Sequence, residues 1–166
     1  KCTDPYNDDS DQDDINDYDE IFHCLYGENN DECTDPEDLD SDNDSIEDGV
    51  EILDWLTDPK NQDSDGDGLS EWQEGNWSTD PNDPDSDDDG INDYDEVSNC
   101  IYGEDNDECT DPNEPDTDSD GINDYDEVNN CIYGENDDEC TDPSDDDSDG
   151  DGLDDYVEIN THNTDP

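Results

Sequence analysis

Six stretches of this chain set aspartates at alternate positions and a glutamate at a fixed distance downstream, a spacing that suits capture of a hard cation. Numbering each loop from its first Asp, positions 1, 3 and 5 are Asp9, Asp11 and Asp13 in loop 1 and Asp40, Asp42 and Asp44 in loop 2. They are Asp63, Asp65 and Asp67 in loop 3, Asp85, Asp87 and Asp89 in loop 4, Asp116, Asp118 and Asp120 in loop 5, and Asp147, Asp149 and Asp151 in loop 6. Position 7 is always aliphatic: Ile15, Ile46, Leu69, Ile91, Ile122 and Leu153. Position 9 is acidic (Asp17, Asp48, Glu71, Asp93, Asp124, Asp155) and position 12 is always Glu (Glu20, Glu51, Glu74, Glu96, Glu127, Glu158). Calcium takes six to eight oxygens in a flexible geometry, and such a loop offers alternate carboxylates, the backbone carbonyl of position 7 and a bidentate Glu at position 12.

The competing reading is a solvated acidic run, the usual meaning of a block of like charge. Acids fill 63 of the 166 positions, so five specified acids fall in one window by chance about once in 130, and six windows in register are not chance. Gly68, Gly90, Gly121 and Gly152 stand at position 6, where a sharp turn needs a left-handed residue. Loops 1 and 2 depart, with Asp14 and Ser45 there; Ser enters that conformation less readily, which makes loop 2 the least secure. Magnesium fits less well because it demands near-ideal octahedral geometry. Zinc would ask for Cys or His, and the only histidines are His23 and His162.

The loops need elements to hold them. Thr-Asp-Pro occurs seven times, ending at Pro5, Pro36, Pro59, Pro81, Pro112, Pro143 and Pro166, and its Asp always lies five residues before the next loop. The array therefore divides into repeats over about 4–34, 35–57, 58–79, 80–110, 111–141 and 142–164, one continuous domain over 1–166. Pro holds the preceding Asp extended, so that Asp is a candidate turn cap or extra ligand. Past each loop, Tyr or Trp at position 10 (Tyr18, Trp72, Tyr94, Tyr125, Tyr156) and an aliphatic at position 13 (Ile21, Ile52, Val97, Val128, Ile159) continue a spacing of three from position 7. That predicts a short helix whose apolar stripe forms a small core between repeats.

The aliphatic at position 7, with the Asp-x-Asp-Gly-Asp-Gly-Leu runs at Asp63 to Leu69 and Asp147 to Leu153, resembles the thrombospondin type 3 repeat, closest in its microbial form, where Thr-Asp-Pro also recurs. The resemblance covers the whole chain. It implies an irregular, calcium-stabilised tandem-repeat rod with little hydrophobic core, often more than one ion per repeat, and an extracellular or cell-surface setting. Cysteine placement departs from the animal form, so no pairing carries over.

Cys24 and Cys33, Cys100 and Cys109, and Cys131 and Cys140 are each nine apart and bracket the extra residues of the long connectors. The economical pairing is a disulfide at the base of each inserted loop, contributing roughly 3 kcal/mol, and it points to an oxidising compartment. Cys2 aligns with the second member of each pair, and Pro166 ends a Thr-Asp-Pro without a following loop, so a longer array is expected. Asn76-Trp77-Ser78 is a glycosylation sequon in a connector; Asn43-Asp44-Ser45 matches but lies within a loop. The Thr of Thr-Asp-Pro is read as a turn hydroxyl capping its own backbone in preference to a site for O-glycans.

A formal charge of −61 excludes nucleic acid and anionic membrane as partners, and 23% hydrophobic residues cannot build an ordinary core. No apolar run is long enough to span a bilayer. Six divalent ions neutralise only twelve charges, so further ions are expected, with Glu28 to Glu32, Glu104 to Glu108 and Glu135 to Glu139 as candidate sites. The leading expectation is a structural protein: a segment of an extracellular fibre, sheath or surface stalk rigidified by calcium and continued by further copies of the repeat. A spacer within an adhesin or surface enzyme is the alternative. A mineral-nucleating matrix protein would leave its acids irregular, and dockerin-like partner binding fits six loops poorly. No nucleophile stands with a base, so enzymatic activity is not expected.

Overall fold

The computed structural model describes residues 6–22, 33–99, 109–130, 140–164 and 166. The long connectors, with Cys24, Cys100 and Cys131, the acidic stretches proposed as extra sites, and Cys2, lie outside these residues. Among the described residues the chain is poor in helix, has no strand, and divides into two compact units, Lys1–Asp83 and Pro84–Pro166, each carrying three loops.

Each repeat is a turn, a loop and one short helix. The Asp of Thr-Asp-Pro builds the turn: its carbonyl and side chain accept the amides two and three residues on, as Lys60 N to Asp58 Oδ1 at 3.1 Å and Asn61 N to Asp58 O at 2.9 Å. Asp80, Asp111 and Asp142 repeat the pattern, so this residue is the turn cap. The loop is then closed across its mouth by one backbone hydrogen bond, from the position 9 amide to the carbonyl just before position 1. It measures 2.9 Å in loop 1 (Asp17 to Asp8) and 3.2 Å in loop 4 (Asp93 to Pro84), and all six loops have it.

Helices begin at or just after position 9. They are Asp17–Phe22, Asp48–Val50 widening into a π-helical turn at Glu51–Trp55, Glu71–Trp77, Asp95–Asn99, Asp126–Asn130, and Asp155–Val157 continued by Glu158–His162. The third is the best capped: Ser70 and Gln73 satisfy each other's backbone in a capping box. Left-handed residues, Leu56, Ser78 and Asn163, end three of them, and the next residue is the Thr of Thr-Asp-Pro.

The apolar stripe is narrower than expected. Ile15, Leu69, Ile91 and Ile122 at position 7 are buried, but Ile46 is only partly so and Leu153 is exposed. Position 10 is not core. Tyr18, Trp72 and Tyr156 are exposed and Tyr125 is 38% exposed; the rings of Tyr125 and Tyr156 lie on the surface of the preceding loop, at Gly90 and Gly121, and Tyr18 meets Phe22 of its own helix. Trp55 does similar work between repeats 2 and 3: its ring covers Gly75, where a Cβ would come within 2.8 Å of Cη2, and its carbonyl accepts from Asn82 Nδ2.

Candidate metal centres

The interior of each repeat is made of carboxylates. Positions 9 and 12 are buried in all six repeats, with Asp48, Glu51, Glu71, Glu74, Glu96, Asp124 and Asp155 fully enclosed. In loops 1 to 5 the position 1, 3 and 5 aspartates each bring one oxygen within 4.8 Å of the other two, and one more acidic group among the described residues does the same.

Backbone amides hold those carboxylates in place. The position 7 amide donates to position 5 Oδ1 in every loop, from 2.6 Å (Ile91 to Asp89, Ile122 to Asp120) to 3.1 Å (Leu153 to Asp151). Position 5 donates to position 3 Oδ1, and position 6 to position 1 Oδ2, as Gly90 to Asp85 at 3.0 Å. Such a path requires left-handed backbone at position 6, and all six residues adopt it, including Asp14 (φ 73°) and Ser45 (φ 88°). Loop 2 is therefore formed like the others.

Position 4 is left-handed as well, through Gln12, Asn43, Gly66, Asp88, Ser119 and Gly150. Asn43, Gly66, Asp88 and Gly150 are of types that favour this conformation, whereas Gln12 and Ser119 give no such signal. Position 2 was also missed, although it is Ser or Thr in all six loops (Ser10, Ser41, Ser64, Ser86, Thr117, Ser148). Its amide and hydroxyl clasp the position 9 carboxylate: Ser86 N to Asp93 Oδ1 at 2.8 Å and Oγ to Oδ2 at 2.7 Å, with the same pair in loops 1, 2, 5 and 6. In loops 3, 5 and 6 that hydroxyl also accepts the amide of the Thr-Asp-Pro aspartate. In loops 1, 2, 4, 5 and 6 position 9, expected as a direct ligand, is also a brace that ties the two ends of the loop together, whereas both Oε of Glu71 in loop 3 are buried without a hydrogen-bond donor.

The Thr of Thr-Asp-Pro serves position 12. Thr34, Thr57, Thr79, Thr110 and Thr141 are buried, which leaves no room for an O-glycan on these five, while Thr164 is exposed; the hydroxyls of Thr34 and Thr57 are spent on glutamates and not on their own backbone. Thr34 Oγ1 donates to Glu20 Oε1 at 3.1 Å and Thr57 Oγ1 to Glu51 Oε1 at 3.4 Å. Thr110 and Thr141 face Glu96 and Glu127 in the same way, short of a well-formed hydrogen bond. The backbone joins in, with Thr57 N donating to Glu51 O and Thr79 N to Glu74 O.

What remains is a set of buried oxygens without a hydrogen-bond donor: Asp13 Oδ2, Glu20 Oε2, Glu51 Oε2, Asp87 Oδ2, both Oε of Glu96 and Glu127, Asp118 Oδ2 and Glu158 Oε2. Burial, and then like charge, drives up the proton affinity of Asp13, Glu20, Glu51, Asp87, Glu96, Asp118 and Glu127. Glu51 and Glu96 rise to about 9, Glu20 and Glu127 to about 8, and Asp87 and Asp118 to about 7. Buried anions of one sign need cations or protons, and an all-oxygen cage aimed at one point answers to a hard divalent ion.

The acids also meet between repeats. Asp48 adds to the charge raising Asp13, Asp124 to that raising Asp87, and Asp120 to that raising Asp155, so position 9 of one repeat faces the preceding loop.

Cys33, Cys109 and Cys140 are each disulfide-bonded. Asn76 is exposed, and its Nδ2 donates to the Trp72 carbonyl at 2.7 Å. Asn43 sits in the left-handed turn of loop 2. No helix among the described residues is long and apolar enough to cross a membrane. No family model, curated protein or solved structure matches the chain.

Proposed function

We propose that this chain is a calcium-binding structural protein, a segment of an extracellular fibre, sheath or surface stalk that calcium makes stiff. The observation that carries the reading is the burial of position 12 in all six repeats, with carboxylate oxygens of Glu20, Glu51, Glu96, Glu127 and Glu158 that no protein donor satisfies. An apolar core would hold a domain together without ions; here the centre of each repeat is anionic, and the fold is complete only with a divalent cation in it. A hundredfold excess over the dissociation constant contributes about 2.7 kcal/mol per site. Ions beyond six follow from the charge, and the position 9 carboxylates facing the preceding loops supply places for them among the described residues. The likeness to thrombospondin type 3 repeats and the disulfides at Cys33, Cys109 and Cys140 favour an oxidising, calcium-rich exterior. Since each repeat leans mainly on its neighbours, an array of them lengthens without a larger core, which suits a rod and no catalytic role.

The test is far-UV circular dichroism and small-angle scattering of the full chain in calcium, in magnesium and in chelator. Ordered, elongated protein in calcium alone is expected. A state unchanged by chelator refutes the reading.

A further inference from the structure

We propose that Asp89 and Asp120, at position 5, are positioning residues for the repeat that follows, so that loading one loop with calcium promotes loading of the next. This rests on the calcium reading above. Each of these carboxylates is divided between two repeats. Asp89 Oδ1 accepts the amide of Ile91 in its own loop at 2.6 Å, while Oδ2 accepts the amide of Tyr125, 36 residues away, at 3.2 Å. Asp120 repeats the arrangement, with Ile122 at 2.6 Å and Tyr156 at 2.8 Å.

The amides of Tyr125 and Tyr156 lie in the first turn of their helices, where no carbonyl of the same helix can reach them. A carboxylate from the preceding loop reaches both and opposes the positive end of the turn; the Tyr156 amide goes to Asp120, and the Tyr125 amide is shared between Asp89 and Asn123 Oδ1 of its own repeat at 3.0 Å. The side chain of the same residue reads the same loop. Tyr125 lies over Gly90, where a Cβ would be 3.2 Å from Cδ2, and Tyr156 over Gly121 at 3.4 Å. Positions 5 and 6 of one loop thus seat both the amide and the ring of position 10 in the next.

Opposing this contact is charge, because Asp124 and Asp155, one residue before the tyrosines, stand against Asp89 and Asp120. A divalent ion in the first loop fixes the position 5 carboxylate and cancels that repulsion. The helix it caps carries the position 12 Glu of the next loop, Glu127 or Glu158, two residues after the tyrosine. Coupling of this kind is reciprocal, and typical factors run from about 5 to 150.

Calcium titration of the full chain, followed through the amide resonances of Gly90, Gly121 and Gly152, reads loops 4, 5 and 6 separately. In the wild type the three should shift together and steeply. Tyr125→Pro removes the amide hydrogen and should separate the Gly90 and Gly121 midpoints by about fivefold or more. Tyr125→Ala keeps the amide and should leave them within about twofold. Glu127→Gln, which weakens loop 5 without touching the junction, should weaken loop 4 by about fivefold or more through reciprocity, and it keeps the test decisive if the proline variant does not fold. Wild-type resonances that titrate independently, or a Gly90 midpoint unmoved in Glu127→Gln, overturn the coupling and leave the calcium reading standing. A wild type that takes up no calcium overturns both.

Discussion

Two junctions between successive repeats solve the same contact in opposite ways. Between repeats 4 and 5, Gly90 at position 6 leaves room for the Tyr125 ring, and Asp89 caps the next helix through its free oxygen. Between repeats 1 and 2 the bulk has changed sides. Position 6 is Asp14, held at φ 73°, and position 10 is Gly49, whose Cβ would lie only 1.7 Å from the Asp13 carbonyl oxygen. Asp13 Oδ2 is buried there without a donor. Repeats 2 and 3 fall between, with Ser45 at position 6 and the Trp72 amide turned toward Asp44. In the first two junctions only one of the facing positions carries a side chain, and the junction with glycine in the loop gains a cap that the junction of repeats 1 and 2 lacks.

The sharpest way to break the comparison is Gly49→Ala. The clash is with backbone, which cannot turn aside, so the first unit should lose about 3 kcal/mol or more in calcium, read by urea unfolding. Gly90→Ala meets a ring that can tilt and a φ of 106°, and should cost less, about 1–2 kcal/mol. If the two substitutions cost the same, the junctions are not built differently. Converting one junction into the other sharpens the point: Asp14→Gly should recover about 1 kcal/mol or more of the stability lost in Gly49→Tyr, seen as a non-additive double-mutant cycle.

A pH series separates the bare fold from the loaded one. Glu51 and Glu96 have folded-state proton affinities raised to about 9 from the ordinary value of 4.5. A carboxyl of this kind stabilises the fold while protonated, fully below about 4.5, and that contribution is lost as pH rises toward 9. In chelator, residual structure should therefore be greatest near pH 5 and fall away by pH 9. In calcium the dependence reverses, because each ion must displace protons: apparent affinity should rise steadily from pH 5 to 9, with proton release seen by calorimetry in buffers of different ionisation heat. A flat affinity profile would mean that the position 12 carboxyls are not ligands.

The smallest effect expected is from Ser86→Ala. It removes one hydroxyl bond to Asp93 but leaves the amide bond, costing about 1 kcal/mol and weakening loop 4 by less than tenfold.

Much of this was legible because the six loops act as their own alignment. Positions 1, 3, 5, 7 and 12 and the short helix could be read from residue type and spacing alone, since ligand chemistry and glycine turns leave few choices. Ser86 and its counterparts escaped notice because a hydroxyl among so many acids carries no obvious demand, although its invariance was visible. Gln12 and Ser119 concealed a left-handed turn that Asn43, Gly66, Asp88 and Gly150 hint at in the other loops. Tyr125 was assigned to a core because a spacing of three suggests a helix face; only coordinates place the partner of that face in the preceding loop, on Gly90. The role of Thr57 depended on a chain reversal that brings it back to Glu51.

Asp89-Gly90 and Asp120-Gly121 are sequences at which polypeptides age, the glycine amide attacking the aspartyl carboxyl to give a succinimide and then an isomerised backbone. In the folded loop the amide of Gly90 is spent on Asp85 and that of Gly121 on Asp116, while Asp89 and Asp120 are turned away toward Ile91 and Ile122. The geometry that gathers the carboxylates thus also keeps each one from its own neighbour. A filled array should outlast an empty one chemically, and loss of ions would start a slow and irreversible clock, read as isoaspartate accumulating at Asp89 and Asp120.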